Sequence, residues 1–283
     1  MTLTRKRIAL FGLTIGLTAA SLPCQAGSKD QDDDHSYTVG ISFDSAEGKY
    51  GSPYKYRTDT TDLSFSKDIG QVTLAANLPY VAQNGPIGSI IVAGHPVIVD
   101  GAPEIRNGKD VLSKSSARII YGHEHGIGDM DVSAAYFFAN DNPHAPLVDA
   151  KLDIKLANGN ASEGLGTGKY NETISSDISQ ELDNWLGALS LGYTEVGKIP
   201  GANMKNFFLE TVDLSYKFNK VASLGATFNN GSATTIGGPA QRDITLYYGL
   251  EVAKAVHMQA FMLKGMTNGS PSRGFGISAN SDF

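Results

Sequence analysis

The sequence predicts an all-β protein, a transmembrane antiparallel up-and-down β-barrel of twelve strands, with fourteen strands as the alternative. Three observations lead to this fold class. Apolar and polar residues alternate with a period of two over segments of about nine to twelve residues, the length at which a tilted strand crosses a bilayer. Short and long connections alternate between these segments, and aromatic residues often lie at segment ends, as expected for membrane interfaces.

The chain begins with the pattern of a secretory signal peptide. Basic residues 5–7 precede an apolar stretch over residues 8–22, and residues 23–26 form the small-residue exit. The apolar stretch is shorter than the run of about 20 residues that a membrane-spanning helix needs. We therefore predict cleavage after Ala26, with a retained anchor or acylation of Cys24 as the alternatives.

The charge balance narrows the function. The 283 residues carry 23 Lys+Arg against 29 Asp+Glu, and residues 1–26 hold three of the cations and no acid, so the mature chain has 20 against 29, a formal charge of -9, and no cysteine. Nucleic-acid binding is disfavoured because it needs clustered cations, so no nucleic-acid partner is predicted. The acidic segment 27–35 is predicted to be a solvated periplasmic tail rather than a calcium loop.

The alternation is clearest in residues 147–157, where Val148 and Leu152 share one face with other apolar residues while Asp149 and Lys151 lie on the opposite face. Counting back from the C-terminus places strands at residues 274–283, 255–265, 242–252, 220–229, 206–218, 185–196, 171–181, 147–157, 128–138, 70–80, 54–66 and 36–45. The barrel then covers residues 36–283. Both of its ends lie on the periplasmic side, and a closed sheet pairs its backbone groups without disulfides.

Residues 81–127 remain as one long external loop between the third and fourth predicted strands. The loop contains apolar pieces at residues 87–93 and 117–121. These pieces favour a segment folded over or into the pore as a constriction. An extracellular hairpin, or two further barrel strands, is the alternative.

On the predicted strands, ten polar or charged side chains lie opposite the apolar face, and we predict that they line a wet pore. They are Asp131, Asp149, Lys151, Asp153, Lys155, Asp213, Lys217, Glu251, His257 and Gln259. Because both signs of charge are present, we expect a transverse field across the pore rather than a ring of one sign that selects one ion.

The sequence predicts no catalytic residue, cofactor or metal site. His123 and His125 form the one closely spaced histidine pair, and they lack the third ligand that zinc sites use. No serine stands beside a histidine in a recognisable motif. A barrel enzyme of the lipase, deacylase or protease type is the alternative function, as is a structural outer-membrane protein.

The C-terminus and three internal motifs resemble known outer-membrane proteins. An alternating final strand that ends in Phe283 looks like the signal read by the barrel assembly machinery of Gram-negative bacteria. Residues 61–65 and 73–80, residues 126–132, and residues 155–160 with 165–168 resemble the family of outer-membrane channel-like proteins associated with meta-pathway phenol degradation.

This resemblance implies a barrel that passes hydrophobic or aromatic compounds, and it brings no catalytic residues. The expected function is therefore passive uptake of small solutes across the outer membrane of a Gram-negative bacterium. The expected partners are outer-membrane lipid and lipopolysaccharide, the barrel assembly machinery and the small-molecule solute.

Overall fold

The computed structural model describes residues 35–86, 89–92, 95–98, 105–106, 109–110, 121–140, 142, 145–200 and 202–283. The predicted signal peptide, and the predicted tail up to residue 34, lie outside the described residues. Within the described residues, no helix is long and apolar enough to cross a membrane.

The described residues form strands and one short 3₁₀ helix, Ala161–Glu163. The strands are β1 (His35–Gly48), β2 (Tyr56–Ile69), β3 (Val72–Pro86), β4 (Ser89–Val92), β5 (His95–Ile98), β6 (Ile105–Arg106), β7 (Lys109–Asp110), β8 (Tyr121–Ile127), β9 (Asp131–Phe138), β10 (Leu147–Lys155), β11 (Asn171–Leu182), β12 (Trp185–Val196), β13 (Phe207–Lys217), β14 (Ala222–Gly231), β15 (Gln241–Ala253), β16 (Val256–Gly265) and β17 (Arg273–Asp282).

The long strands close into one antiparallel barrel. Each strand from β9 to β17 pairs with its sequence neighbour, and β17 pairs with β1, with Thr38 opposite Asp282. β1 pairs with β2, β2 pairs with β3, and β3 closes the ring by pairing with β9. The predicted all-β barrel of twelve strands is therefore confirmed, with β8 as one extra strand.

β8 and β9 both pair with β3 and together form one strand of the barrel, which a β-bulge divides. Tyr80 of β3 pairs with Ile127, and Asn77 pairs with Asp131. Residues 128–130 thus lie opposite residues 78–79, which is one residue more than regular pairing allows. The bulge reverses the phase of the alternation, so odd-numbered residues face outward in β8 and even-numbered residues face outward in β9.

This pairing corrects the expected bounds of the long loop at 81–127. β3 continues to Pro86 and β8 begins at Tyr121, so the connection between barrel strands spans residues 87–120. The sequence of β8, Gly-His-Glu-His-Gly between Tyr121 and Ile127, lacks the apolar alternation on which strand prediction depends. Two hairpins, β4–β5 and β6–β7, lie within the connection and do not pair with the barrel sheet.

The barrel is apolar outside and polar inside. On β13, Val212 is 44% exposed, whereas the next residue, Asp213, is 7% exposed. The other long strands likewise expose apolar side chains and bury polar ones, the reverse of the pattern in a water-soluble protein. Val39 and Ile41 on β1 are further examples of exposed apolar residues. An apolar outer face of this kind is stable in hydrocarbon, where the closed ladder leaves no backbone group unpaired. The barrel therefore spans a membrane.

Aromatic side chains lie near both ends of the outer face. Near one end, the ring of Trp185 lies 4.9 Å from that of Tyr216, which in turn lies 5.5 Å from the ring of Phe218. Near the other end, the rings of Tyr193 and Phe208 are 4.9 Å apart. These two levels match the aromatic girdles that transmembrane barrels place at the two membrane interfaces.

The connections differ in length between the two ends of the barrel. Tight turns at residues 70–71, 183–184 and 254–255 lie at one end, together with the longer connections at 139–146 and 218–221. This end also holds the start of β1 and the end of β17. Longer connections form the opposite end, at residues 49–55, 156–170, 197–206, 232–240 and 266–272. This difference agrees with the expected short periplasmic turns and long external loops.

Candidate functional site

The inner wall of the barrel is the candidate site, since the residues predicted from sequence all lie on it. Lys151, Asp153, Asp213 and Gln259 are buried, and the other six predicted residues are partly buried. Each belongs to the set of alternate residues that faces away from the apolar outer surface. The structure distributes them over β9, β10, β13, β15 and β16 rather than bringing them into one cluster.

Each lysine on the inward face of the described barrel strands already has an acidic partner. Lys151 Nζ lies 3.1 Å from Asp153 Oδ2, and Lys217 Nζ lies 2.8 Å from Glu181 Oε1. Lys155 Nζ forms an ion pair with Asp129. Pairing at such short range leaves little positive field for the rest of the wall.

Sequence reasoning missed further inward carboxyl groups, and they increase the excess of acidic over basic side chains on the wall. They are Asp44 on β1, Asp62 on β2, Asp177 on β11 and Asp243 on β15, all buried. The signal was available, because each adjoins an exposed apolar residue on its own strand, for example Phe43 or Leu63. Both signs of charge are present on the inward face of the described strands, as expected, and carboxyl groups outnumber cations there.

Asp213 and Asp243 each belong to a hydrogen-bonded group across β13, β14 and β15. Tyr247 Oη donates to Asp213 Oδ2 at 2.9 Å, and Thr227 Oγ1 donates to Asp213 Oδ1 at 2.6 Å. One level nearer the long loops, Asn229 Nδ2 donates to Asp243 Oδ1 at 2.8 Å. The network satisfies buried polar atoms and fixes their orientation on the wall.

Three inward aromatic rings lie against glycines of the neighbouring strand. Tyr247 pairs with Gly225, and Phe261 pairs with Gly276. At both glycines an added Cβ would overlap the partner's ring, and at Gly85 it would lie 2.6 Å from the ring of Tyr56. Each ring therefore lies over the backbone of the neighbouring strand, a placement that glycine permits because it has no side chain.

Hydrogen bonds and an ion pair connect the bulge between β8 and β9 to the loop at residues 156–170. Asp129, in the bulge, accepts hydrogen bonds from the backbone N–H of Gly159 at 2.9 Å and of Thr167 at 2.8 Å, and it pairs with Lys155. Leu165 of this loop packs beside Gly126. The loop therefore lies beside β8, which pairs with β3 and with no other described strand.

Hydrogen bonds also connect the loop at 232–240 to the loops at 197–206 and 266–272. Lys205 N donates to Thr234 O at 3.0 Å, and Thr267 Oγ1 donates to Ala240 O at 2.7 Å. Beneath the loop at 197–206, Val196, Met204 and Phe207 form a buried apolar cluster. The loop end of the barrel thus contains a small apolar core close to the polar wall.

The histidine pair lies on the other side of the wall. His123 and His125 occupy the outward face of β8, with ring centroids 5.5 Å apart, and His123 Nδ1 lies 2.8 Å from Asn84 Oδ1. Across the described residues, no group of three or more His, Cys, Asp or Glu side chains is placed to hold a metal ion.

A closed barrel with an apolar outside and a charged, hydrogen-bonded inside has the architecture of a bacterial outer-membrane barrel. The chain matches no protein-family model and no curated protein sequence. Among solved structures it is similar to the COG4313 outer membrane channel from Pseudomonas putida F1, with a TM-score of 0.63 and 11% identity over 90% of this chain and 100% of the other.

The chain is also similar to the KdgM porin in complex with disordered oligogalacturonate. The TM-score is 0.51 and the identity 8%, covering 87% of this chain and 99% of that one. The first of these proteins is an outer-membrane channel and the second is a porin. At such low identities the likeness establishes a shared β-barrel fold.

Proposed function

We propose that the protein is an outer-membrane channel for passive uptake of small solutes in a Gram-negative bacterium. The observation that carries this proposal is the closed twelve-stranded barrel with an apolar outer face and a charged inner wall. A wall of this kind supports water and dissolved solutes along the barrel axis, and the fold shared with channels agrees with it.

The ten residues predicted to line the pore are the proposed contacts for a passing solute. Their burial on the inward face supports the assignment. The acidic network around Asp213 and the paired lysines would hold ordered water and orient a polar group as it passes. In a channel of this type, rate depends on many weak contacts rather than on one tight site.

Hydrophobic or aromatic compounds are the proposed solutes, as in the family associated with meta-pathway phenol degradation. Two features support this finer proposal. Exposed apolar side chains lie at the loop end, among them Ile236 and Met266, where an apolar solute would first bind. The motif at residues 126–132, part of the family resemblance, forms the bulge that positions the loop at 156–170.

The connection over residues 87–120 is the proposed constriction. Ser89, at the start of β4, is buried, and its Oγ lies 3.5 Å from the Oη of Tyr56, an inward residue at the loop end of β2. The connection therefore starts beside the mouth of the barrel, which supports its proposed role as a constriction.

Planar-bilayer recordings and liposome swelling test the proposal. We expect the purified protein to show small, open conductance, and we expect conductance to rise when residues 87–120 are replaced by a short turn that leaves β3 and β8 intact. Swelling with matched aromatic and aliphatic solutes would report the solute preference. If neither form conducts or passes solutes while both run as folded barrels, the channel proposal is wrong.

The same preparations distinguish the alternative functions. Lipase, deacylase and protease assays on the folded protein should show no turnover above that of an unrelated outer-membrane barrel. Robust turnover would favour the enzyme. Absence of turnover, conductance and swelling together would favour a structural role.

A further inference from the structure

Asp44 is an inward carboxyl group that is buried with both of its oxygens unpartnered. Its side chain is 3% exposed, and neither Oδ1 nor Oδ2 has a hydrogen-bond partner. Asp62 and Asp213, in contrast, each accept two side-chain hydrogen bonds. A buried carboxyl group without a donor is costly, so such a position points to a group that arrives from outside.

Aromatic rings lie around Asp44. Asp44 pairs with Gly276, and the ring of Phe261 occupies the space above that glycine, so the ring reaches to roughly 5 Å from the Asp44 side chain. Tyr50 lies in the loop at 49–55, with its ring 6.2 Å from that of Tyr56. A Cβ added at Gly48, four residues beyond Asp44 on the same inward face, would lie 3.2 Å from the Tyr50 ring. Burial, and then the charges of Asp44 and Asp243, raise the pKa of Tyr50.

A second unpartnered group lies on the same inward wall, two strands from Asp44. Gln259 is 3% exposed, and neither its Oε1 nor its Nε2 has a hydrogen-bond partner. It faces inward on β16, two residues before Phe261, and pairs with Ser278 of β17. The inward face from β1 to β16 therefore carries an unpaired carboxyl group, an unpaired amide and an aromatic ring.

We propose that Asp44, Phe261 and Tyr50 form a subsite for small organic cations, and that the channel favours cations over anions. A carboxylate beside aromatic rings matches an ammonium group on an apolar body, through charge and cation–π attraction. A metal ion fits less well, since the described residues hold no group of three or more acidic or metal-ligating side chains placed to bind one. The channel part of this inference rests on the function proposed above.

The test uses benzyltrimethylammonium with its neutral analogue neopentylbenzene as the matched probe. In planar bilayers under a KCl gradient, we expect a reversal potential on the cation-selective side and block of the current by the ammonium compound. Asp44→Asn should weaken that block by about tenfold or more, the usual effect of losing one charge-assisted contact. Phe261→Leu should weaken the block while leaving the reversal potential unchanged.

Asp59→Asn is the matched control. Asp59 lies on β2 opposite Ser45, the residue after Asp44, but it faces outward and pairs with Arg57 at 3.0 Å. The control removes the same charge at the same level of the barrel, and it should leave block and selectivity unchanged. Equal block of the native protein and Asp44→Asn, or equal losses in Asp44→Asn and Asp59→Asn, would overturn the subsite.

A binding measurement separates the subsite from the channel. Calorimetry with benzyltrimethylammonium on the detergent-solubilised protein needs no conductance. Binding that Asp44→Asn abolishes would support the subsite even if bilayers show no current, in which case the channel proposal alone fails. Absence of binding to the native protein would overturn the subsite even if the barrel conducts.

Discussion

Removal of the Asp129 carboxyl group should release the loop at residues 156–170 from the barrel wall. Asp129→Ala deletes an ion pair with Lys155 and the acceptors for the backbone N–H groups of Gly159 and Thr167. The side chains of Lys155 and Asp129 are 14% and 6% exposed, so solvent replaces these contacts poorly. Breaking a buried pair of this kind costs about 3–5 kcal/mol.

The cost should fall on the loop more than on the barrel, because the interstrand ladders stay intact. Lys155 keeps hydrogen bonds to Thr167 Oγ1 at 2.7 Å and to Lys169 O at 2.8 Å, which places the loss near the lower end of the range. About 3 kcal/mol corresponds to roughly a 100-fold increase in local opening. The amide protons of Gly159 and Thr167 should therefore exchange about 100-fold faster.

Hydrogen exchange read by mass spectrometry on the folded protein in micelles measures this effect. Glu163→Ala is the control, since Glu163 is an exposed carboxylate in the same loop. Exchange in the loop at 156–170 should rise in Asp129→Ala and stay at the native rate in Glu163→Ala. If the two variants exchange at the same rate, Asp129 does not fasten the loop and the reasoning about the bulge is refuted.

Three further predictions follow from the wall, the terminus and the loops. Gly225→Val should displace the ring of Tyr247, lower the conductance and reduce the free energy of unfolding by about 1–3 kcal/mol through overpacking. Gly187→Val should change neither quantity, because no atom lies near that glycine. Equal conductance of the two variants in bilayers would contradict this prediction. Phe283→Ala should lower the yield of assembled barrel in cells but not the stability of refolded protein, because the ring is 75% exposed, and equal yields by heat-modifiable mobility would speak against it. A peptide tag after Glu163 should be labelled on intact cells and a tag after Asn219 should not, and the reverse result would invert the topology.

The outer face of the barrel was predictable because the bilayer imposes one simple rule on it. Each membrane-facing position must be apolar, so residues such as Leu152 and Val212 recur with a period of two and reveal strand, phase and length. This rule was sufficient to predict twelve strands and to place ten polar residues on the inward face. It also explains why the alternating turn lengths could be read from the intervening polar segments.

The rule fails where a strand leaves the hydrocarbon. β8 carries His123 and His125 on its outward face, so the sequence pattern predicts a loop there. In the structure β8 pairs with β3 along its whole length. The bulge at residues 128–130 hides the strand further, because one extra residue reverses the phase of the pattern. A search that required continuous alternation therefore ended the third strand too early and began the fourth too late.

The inner wall obeys no comparable rule, because its positions accept small, polar and charged side chains alike. Lys151, Lys155 and Lys217 stand out in the sequence as cations, yet each has an acidic partner, and for Lys155 and Lys217 only folding brings that partner close. Asp44 stands out little among the small polar residues on the inward face of β1. In the folded barrel the positive field of each paired lysine is therefore cancelled at short range. Asp44, in contrast, keeps an unpaired carboxyl group beside aromatic rings.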